Sequence, residues 1–222
     1  MIVTLLSMIV TAVAYIFSRR VATVWKSPLT TPVFLSSLII IGVFLLTGIS
    51  YEQYGPAKEL LTYLLGPATV ALAVPIYKNR ELIRKLAIPV SIGIVAGSTA
   101  TIAVSIIFGR ILHLSHELIT ALGVKSATVP IAVEVIGIID GDVSLTAAFV
   151  MLTGVIGAMV GPWFLNVVKI TDPVSRGLAI GTISHGIGTA EIAREGELQG
   201  AAAGIAMALA AVFTSIAVPM WF

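Results

Sequence analysis

The chain has 222 residues, of which 58% are apolar and only 11% are charged, and its formal net charge is +2. Its mean hydropathy is +1.06. A soluble domain of this length needs a charged surface, so the composition excludes a soluble globular protein and indicates a membrane protein. The chain contains no cysteine, which excludes disulfides, thiolate chemistry and cysteine-based zinc sites.

Uncharged runs recur along the chain, each about as long as the roughly 17 to 25 residues that cross a hydrocarbon layer as a helix. Lipid offers no hydrogen-bond partner to an open backbone, so these runs are expected to be helical. The predicted fold is an all-α polytopic membrane protein with about 6–8 transmembrane segments, two of them broken or re-entrant. The first run is not a cleavable signal peptide, because Arg19 and Arg20 follow it instead of preceding it.

Four helices are predicted in the first half of the chain, at residues 2–18, 32–50, 57–76 and 86–108. The third contains Gly66-Pro67 and is expected to be kinked there. Basic residues are concentrated in the first and third loops, so the positive-inside rule places these loops in the cytoplasm and the N-terminus outside. The basic residues of these two loops are Arg19, Arg20, Lys26, Lys78, Arg80, Arg84 and Lys85.

The second half of the chain repeats one pattern, an interrupted apolar segment followed by a clean apolar helix. We interpret residues 115–168 and 172–222 as two copies of one unit. The sequence thus predicts scaffold helices in residues 1–108 and a core in residues 109–222.

The interrupted segments have two possible paths. If each enters the membrane and returns on the same side, the two copies are inverted, as in many secondary transporters, which hold the substrate near the midplane. If each segment crosses the membrane, the copies are parallel. The loop charges leave both paths open, and we favour the inverted repeat.

Lys125 lies near the middle of the first interrupted segment, beside Ser126 and Thr128. A charge at the bilayer centre costs about 3 kcal/mol even on a lenient insertion scale, so it needs a partner or a watery cavity. One interpretation is an anion site, in which the ammonium and a half-helix N-terminus hold a carboxylate. The alternative is that Lys125 is paired with Glu134 or Glu191 and merely joins two helices.

Three glycines interrupt the second segment within eight residues, and each costs about 1 kcal/mol relative to alanine in a helix. We therefore expect unwound backbone, which is tolerated at membrane depth only beside water or buried protein. His185 is a candidate for binding an anion or a coupled proton, and the alternative is a buried histidine that donates to a carbonyl. The predicted polar cradle comprises Gly181, Thr182, Ser184, His185, Gly186, Gly188 and Thr189.

Two carboxylates lie at the far ends of the interrupted segments, Glu134 and Glu191. Each is a candidate for proton exchange during transport, with neutralisation of Lys125 or contact with the interface as the alternatives. His113, His116 and Glu117 lack the H-E-x-x-H spacing, so we predict no metal site. No nucleophile–base arrangement, cofactor motif or nucleic-acid signal is present, and we predict that the protein is not an enzyme.

Five blocks of the chain resemble the LrgB/CidB family, also called the antiholin-like or YohK family, in the right order and over nearly the whole length. The blocks are LGPATVALAVP (65–75), KSATVPIAVEV (125–135), LTGVIGAMVGP (152–162), RGLAIGTISHGIGTA (176–190) and the alanine-rich last helix.

The resemblance implies a multi-pass protein of the bacterial inner membrane, with no cofactor and with a homodimeric state. It implies carriage of small carboxylates of the pyruvate, glycolate or glycerate type, or alternatively a regulatory role with a holin-like LrgA/CidA partner in autolysis and murein hydrolase control. Glu191 stands where the family pattern has a basic residue, which puts its role in doubt. The binding residues implied are Pro67, Thr69, Lys125, Ser126, Thr128, Ser184, His185, Gly188 and Thr189.

Overall fold

A computed structural model describes residues 2–25, 27–71 and 73–222 of the chain, and every regular element in these ranges is helical. The predicted class, an all-α polytopic membrane protein, is confirmed. The helices long and apolar enough to cross a membrane are Val3–Val24, Ala87–Ile111, Val143–Val167 and Glu197–Met220, and the shorter apolar helices are Pro32–Thr47 and Val129–Ile138.

The chain forms two compact units, Met1–Leu72 and Ala73–Phe222. In the first, α1 (Ile2–Val24) packs on α2 (Pro32–Thr47) and α3 (Tyr51–Ala71). Helix α1 runs past the predicted end at residue 18, because the exposed arginines there direct their charges to solvent without ending the helix. Lys26, also assigned to this boundary, lies outside the described residues.

The helical backbone of α3 runs through Gly66-Pro67 to Ala71, so the helix does not end at the expected kink, and a bend there stays a prediction. The second unit begins with α4 (Ala73–Lys78) and α5 (Arg80–Lys85). Helix α6 (Ala87–Ile111) packs on helices of the second unit. The contacts therefore divide the chain after residue 72, whereas the sequence suggested a division after residue 108.

The first interrupted segment forms two short helices, α7 (His116–Val124) and α8 (Val129–Ile138), followed by the long α9 (Val143–Val167). A Cβ atom on Gly141, just past the end of α8, would lie 3.5 Å from Thr120 Oγ1 in the second turn of α7. The end of α8 is therefore beside the start of α7. We call this pair of helices the first hairpin.

The second interrupted segment is α10 (Pro173–Ile192), whose backbone leaves helical geometry at Ser184 and His185. Arg176 near its start forms an ion pair of 2.7 Å with Glu195 just past its end. A straight helix would separate these two positions by about 28 Å, so the second half (186–192) turns back along the first half (173–183). We call these two halves the second hairpin.

Helix α11 (Glu197–Ala217) starts beside the first half of α10, where a Cβ on Gly181 would clash with the backbone of Ala203. Its far end reaches α7, since the rings of Phe222 and His116 lie 5.8 Å apart. The second unit thus has an Arg176 end, where the second hairpin opens and α11 begins, and a His116 end, where the first hairpin opens. Helix α9 connects the two ends.

Candidate functional site

Lys125 lies at the turn of the first hairpin and reaches across to α6. Its half-buried ammonium donates to Ser105 Oγ and, at 3.4 Å each, to the carbonyls of Thr101 and Leu122. None of the carboxylates in the described part of the chain lies within salt-bridge distance of it. The predicted alternative, an ion pair with Glu134 or Glu191, is therefore wrong, and the cation faces only neutral acceptors.

The rest of this turn offers hydrogen-bond donors. Ser126 is buried, and its hydroxyl has no partner among the described residues. Thr128 occupies the N-cap position of α8, but its side chain makes no capping bond to the helix. The first backbone N–H groups of α8 therefore lack both an intrahelical partner and a side-chain cap. An ammonium, a free hydroxyl and an uncapped helix N-terminus therefore lie at one turn. These are the groups that the sequence predicts for the anion site.

His185 lies at the turn of the second hairpin with its side chain 4% exposed, and its Nε2 is 2.9 Å from the carbonyl oxygen of Val150 in α9. A carbonyl only accepts, so Nε2 carries a proton and donates it to this bond. The alternative named above, a buried histidine that donates to a carbonyl, is thus observed. The neighbouring Ser184 is 1% exposed and its hydroxyl has no described partner.

The predicted unwinding of this stretch is correct for Ser184 and His185 only. His185 has φ 40° and ψ −141°, a conformation that costs about 1–3 kcal/mol in a residue with a side chain. Gly186 and Gly188 are helical, and Gly188 serves close packing instead, since a Cβ there would lie 2.9 Å from Ile180 Cγ2. Backbone strain is therefore concentrated at the candidate histidine.

Both hairpin turns pack against α9 near Val150. Val124 and Ala127, which flank Lys125 and Ser126, belong to the same apolar cluster as Val150. The carbonyl of Val150 in turn accepts the bond from His185. Both breaks in helical structure therefore lie against the same part of α9.

The remaining predicted residues fall into three groups. Thr182 and Thr189 are buried in the second hairpin, where Thr189 Oγ1 donates to the His185 carbonyl at 2.7 Å. Glu191 binds Arg194 at 2.9 Å, and Glu134 is exposed on α8. Pro67 is exposed in the first unit, and the side chain of Thr69 lies outside what the structure describes. The roles of Pro67 and Thr69 stay predictions.

Two glycines of α9 were missed as site residues. A Cβ on Gly154 would lie 2.5 Å from Cε1 of His185, and one on Gly157 would overlap the Ser184 hydroxyl. The second hairpin can seat its turn against α9 only because both positions lack a side chain. The sequence contains G-x-x-x-G spacing at 157 and 161, a pattern typical of close helix packing, which includes Gly157 but not Gly154.

Gly157→Ala is expected to reduce thermal stability by about 1–3 kcal/mol, because the added methyl group forces the turn of the second hairpin away from α9. Gly137→Ala is the matched control, since a Cβ at that helical position meets nothing within 4 Å. The control should be neutral or slightly stabilising. Equal melting temperatures of the two purified variants would contradict the packing assigned to Gly157.

Arg176 was also missed, although a buried arginine in an apolar protein is a strong signal. It is 5% exposed and binds the Glu195 carboxylate through Nε and Nη2, both at 2.7 Å. Its Nη1 donates to Asn166 Oδ1 at 2.9 Å and to the Ile170 carbonyl at 2.8 Å. The side chain therefore joins both ends of the second hairpin to the end of α9.

Arg176→Met is expected to lower stability by about 1–3 kcal/mol, because the Asn166 amide and the carbonyls lose a charged donor. Arg176→Lys should recover only part of the loss, since an ammonium cannot bind the carboxylate with two parallel bonds. Arg84→Met, which removes an exposed guanidinium at the same end of the unit, is the control. Thermal unfolding of detergent-solubilised protein measures all three, and an unchanged Arg176→Met variant would refute the assignment.

Comparison with known proteins identifies the family. The family model described as "LrgB-like family" matches residues 11–222. The chain is 32% identical to the uncharacterized protein YwbG of Bacillus subtilis (strain 168) over 219 residues, which cover 99% of this chain and 97% of that protein.

Two further relatives have descriptive names. The antiholin-like protein LrgB of Bacillus subtilis (strain 168) is 32% identical over 193 residues, covering 87% of this chain and 84% of that protein. The holin-like protein CidB of Staphylococcus aureus (strain N315) is 30% identical over 216 residues, which cover 97% of this chain and 94% of that protein. No solved structure matches the chain significantly. The full-length family match and these relatives show that the chain belongs to the LrgB-like family.

Proposed function

We propose that the protein is a secondary transporter or facilitator of small monocarboxylates of the pyruvate, glycolate or glycerate type. The observation that carries this proposal is the half-buried ammonium of Lys125, which has no carboxylate partner among the described residues. A cation among apolar groups has a high free-energy cost, and a bound anion reduces that cost. The uncapped N-terminus of α8 adds a positive dipole end at the same turn.

The arrangement of the two hairpins supports transport. Each hairpin is followed by one long helix, and the first opens at the His116 end whereas the second opens at the Arg176 end. We infer that the two units, residues 115–168 and 172–222, form an inverted repeat with its substrate site where both hairpin turns pack against α9. Such symmetry lets one site be exposed to each side of the membrane in turn.

Charge asymmetry favours one orientation. Seven of the nine Lys and Arg residues in the second unit lie at the Arg176 end, whereas Arg110 alone lies at the His116 end and Lys125 is central. By the positive-inside rule we place the Arg176 end in the cytoplasm of a bacterial inner membrane, which agrees with an external N-terminus. The seven are Lys78, Arg80, Arg84, Lys85, Lys169, Arg176 and Arg194.

Uptake by purified protein tests the proposal. Proteoliposomes should accumulate or equilibrate labelled pyruvate, glycolate or glycerate faster than protein-free liposomes of the same lipid. Unlabelled substrate in excess should suppress the signal, and a neutral solute of similar size, such as glycerol, should not be carried. Uptake equal to that of protein-free liposomes for all three carboxylates would refute the transport proposal.

The second candidate function is a regulatory, antiholin-like membrane component. The names of two relatives favour it, one antiholin-like and one holin-like. This function needs a surface for a small holin-like subunit of the LrgA/CidA type instead of a midplane site. Co-purification of such a subunit with the chain, together with absent carboxylate flux from the chain alone, would favour it. We also propose a homodimer, which mass measurement in detergent tests.

A further inference from the structure

The ammonium of Lys125 links the first hairpin to α6. An ammonium has three N–H donors, and three oxygens accept from this one, namely the Ser105 hydroxyl and the carbonyls of Thr101 and Leu122. Leu122 belongs to the first hairpin, whereas Ser105 and Thr101 belong to α6. A carboxylate that binds this ammonium therefore has to replace at least one neutral acceptor.

The two acceptors on α6 can lose the ammonium at low cost. Ser105 Oγ donates to the Thr101 carbonyl at 2.7 Å, so both oxygens keep a partner when the ammonium leaves. A carboxylate is also the stronger acceptor, because a hydrogen bond between ionised groups is about twice as strong as one between neutral groups. An anion therefore competes favourably with α6 for the Lys125 ammonium.

The other groups of the candidate anion site lie on the hairpin itself. The buried Ser126 hydroxyl has no partner among the described residues, and the N-terminus of α8 at Thr128 lacks a side-chain cap. Both belong to the same turn as Lys125. An anion held by these groups favours an ammonium that points into the hairpin and away from α6.

The rest of the contact between α6 and the first hairpin is apolar. Ile106 of α6 and Ile119 of α7 belong to one buried cluster, and a Cβ on Gly109 would lie 2.8 Å from Ile119 Cγ1. Within the described part of the chain, the hydrogen bonds between α6 and residues 116–138 are those of Lys125. Because apolar contacts are non-directional, the ammonium fixes the position of the hairpin on α6.

We propose, building on the carboxylate-transport function above, that Ser105 is a positioning residue that holds Lys125 on α6, and that a carboxylate draws the ammonium from Ser105 and Thr101 into the first hairpin. Binding of the anion then removes the hydrogen bonds that fix the hairpin to α6. The hairpin is left with an apolar contact along which it can move, so one side chain couples substrate binding to the movement of the hairpin.

The affinity of Ser105→Ala tests this exchange. The variant should bind the carboxylate that the unaltered chain carries about fivefold more tightly, because the anion no longer has to replace the Ser105 hydrogen bond. Ser98→Ala is the matched control, since Ser98 is buried on the same helix and its hydroxyl has no partner among the described residues. It should keep the affinity of the unaltered chain.

Titration of the purified proteins with labelled pyruvate, glycolate and glycerate measures the dissociation constants, and the half-saturating concentration for uptake should change in parallel. A purely structural role of Ser105 would not tighten binding. Unchanged or weaker binding by Ser105→Ala would overturn the inference, because it would place the hydroxyl away from the ammonium or within the anion-bound site.

Melting temperatures test the Ser105–Lys125 contact without any carboxylate. Ser105→Ala should lower the melting temperature by about 2–4 °C more in the unaltered chain than in Lys125→Met, because only the ammonium uses this hydroxyl as an acceptor. Equal shifts in the two backgrounds would show that Ser105 does not hold Lys125, and would overturn the inference.

A disulfide between α6 and the hairpin tests the movement. A Cβ on Gly109 would lie 3.6 Å from Ile119 Cβ, within the roughly 3.5–4.5 Å of a disulfide, and the natural chain has no cysteine. The double variant Gly109→Cys/Ile119→Cys should lose uptake on oxidation and recover it on reduction, so the reduced protein is the control. Full uptake by the oxidised protein would overturn the release of the hairpin.

The two proposals fail separately. Carboxylate uptake by the unaltered chain, with unchanged or weaker binding by Ser105→Ala, would support transport and overturn the exchange of the ammonium. Absence of uptake and of carboxylate binding in the unaltered chain would refute transport, and the exchange with it.

Discussion

Replacement of Lys125 by methionine is expected to reduce carboxylate uptake by about 100-fold, because a charged hydrogen bond to the anion contributes about 1.5–3 kcal/mol. The same variant is expected to unfold at an equal or higher temperature. A half-buried ammonium without a carboxylate partner is a net cost to the fold, and an apolar chain of similar volume removes it. Ser105 Oγ already donates to the Thr101 carbonyl at 2.7 Å, so the loss of Lys125 leaves that carbonyl with a partner.

The combination of lost uptake with retained stability distinguishes a binding residue from a structural one. Lys85→Met is the control, since it removes an exposed lysine at the Arg176 end and should leave both quantities unchanged. Initial rates in proteoliposomes and melting curves of the same preparations measure the two effects. Normal uptake by Lys125→Met would remove the anion site at the first hairpin, and a large drop in melting temperature would assign Lys125 to the fold.

Replacement of His185 by alanine or by glycine is expected to abolish uptake, because both remove the imidazole at the turn of the second hairpin. The two variants should differ in stability. Each loses the bond to the Val150 carbonyl, but glycine adopts the positive φ of this position without strain and alanine does not. His185→Gly should therefore be the more stable variant, by about 1 kcal/mol.

The comparison of alanine with glycine isolates the strain that the fold maintains at this histidine. Gly137→Ala, on α8, is the control, because a Cβ there meets nothing within 4 Å. It should keep both uptake and stability. Full uptake by His185→Ala would exclude the imidazole from the site, and a less stable His185→Gly would contradict the backbone conformation assigned to position 185.

Several properties of this protein depend on local sequence, and these were predicted well. The clean apolar helix predicted at the end of residues 115–168 is observed as Val143–Val167, because an apolar run of that length in lipid must satisfy its own hydrogen bonds. The interruptions at Lys125 and at His185 were also predicted, since polar groups and glycines disfavour a helix wherever it packs. The five blocks that resemble the LrgB/CidB family are likewise recognised from neighbouring residues alone.

Other properties depend on which helices touch, and the sequence left them open. Loop charges did not show whether the interrupted segments return to the side from which they start. The Arg176–Glu195 ion pair shows that the second segment returns, because it joins the two ends of α10. The acceptors of Lys125 lie 20 and 24 positions away on α6, so no spacing rule pointed to Ser105 or Thr101. In the sequence, Gly157 cannot be distinguished from other small residues of a membrane helix. The structure shows that the Ser184 hydroxyl occupies the space that a Cβ at this position would need.

The sequence by itself determined that this is a helical membrane protein with two broken segments and a buried cation, because hydropathy and helix propensity are properties of neighbouring residues. Only the tertiary structure decided that both breaks pack against α9 near Val150 and that Lys125 has neutral partners. Those facts depend on the packing of helices remote in the chain, where many apolar surfaces fit about equally well and a few contacts at small or charged residues select the arrangement.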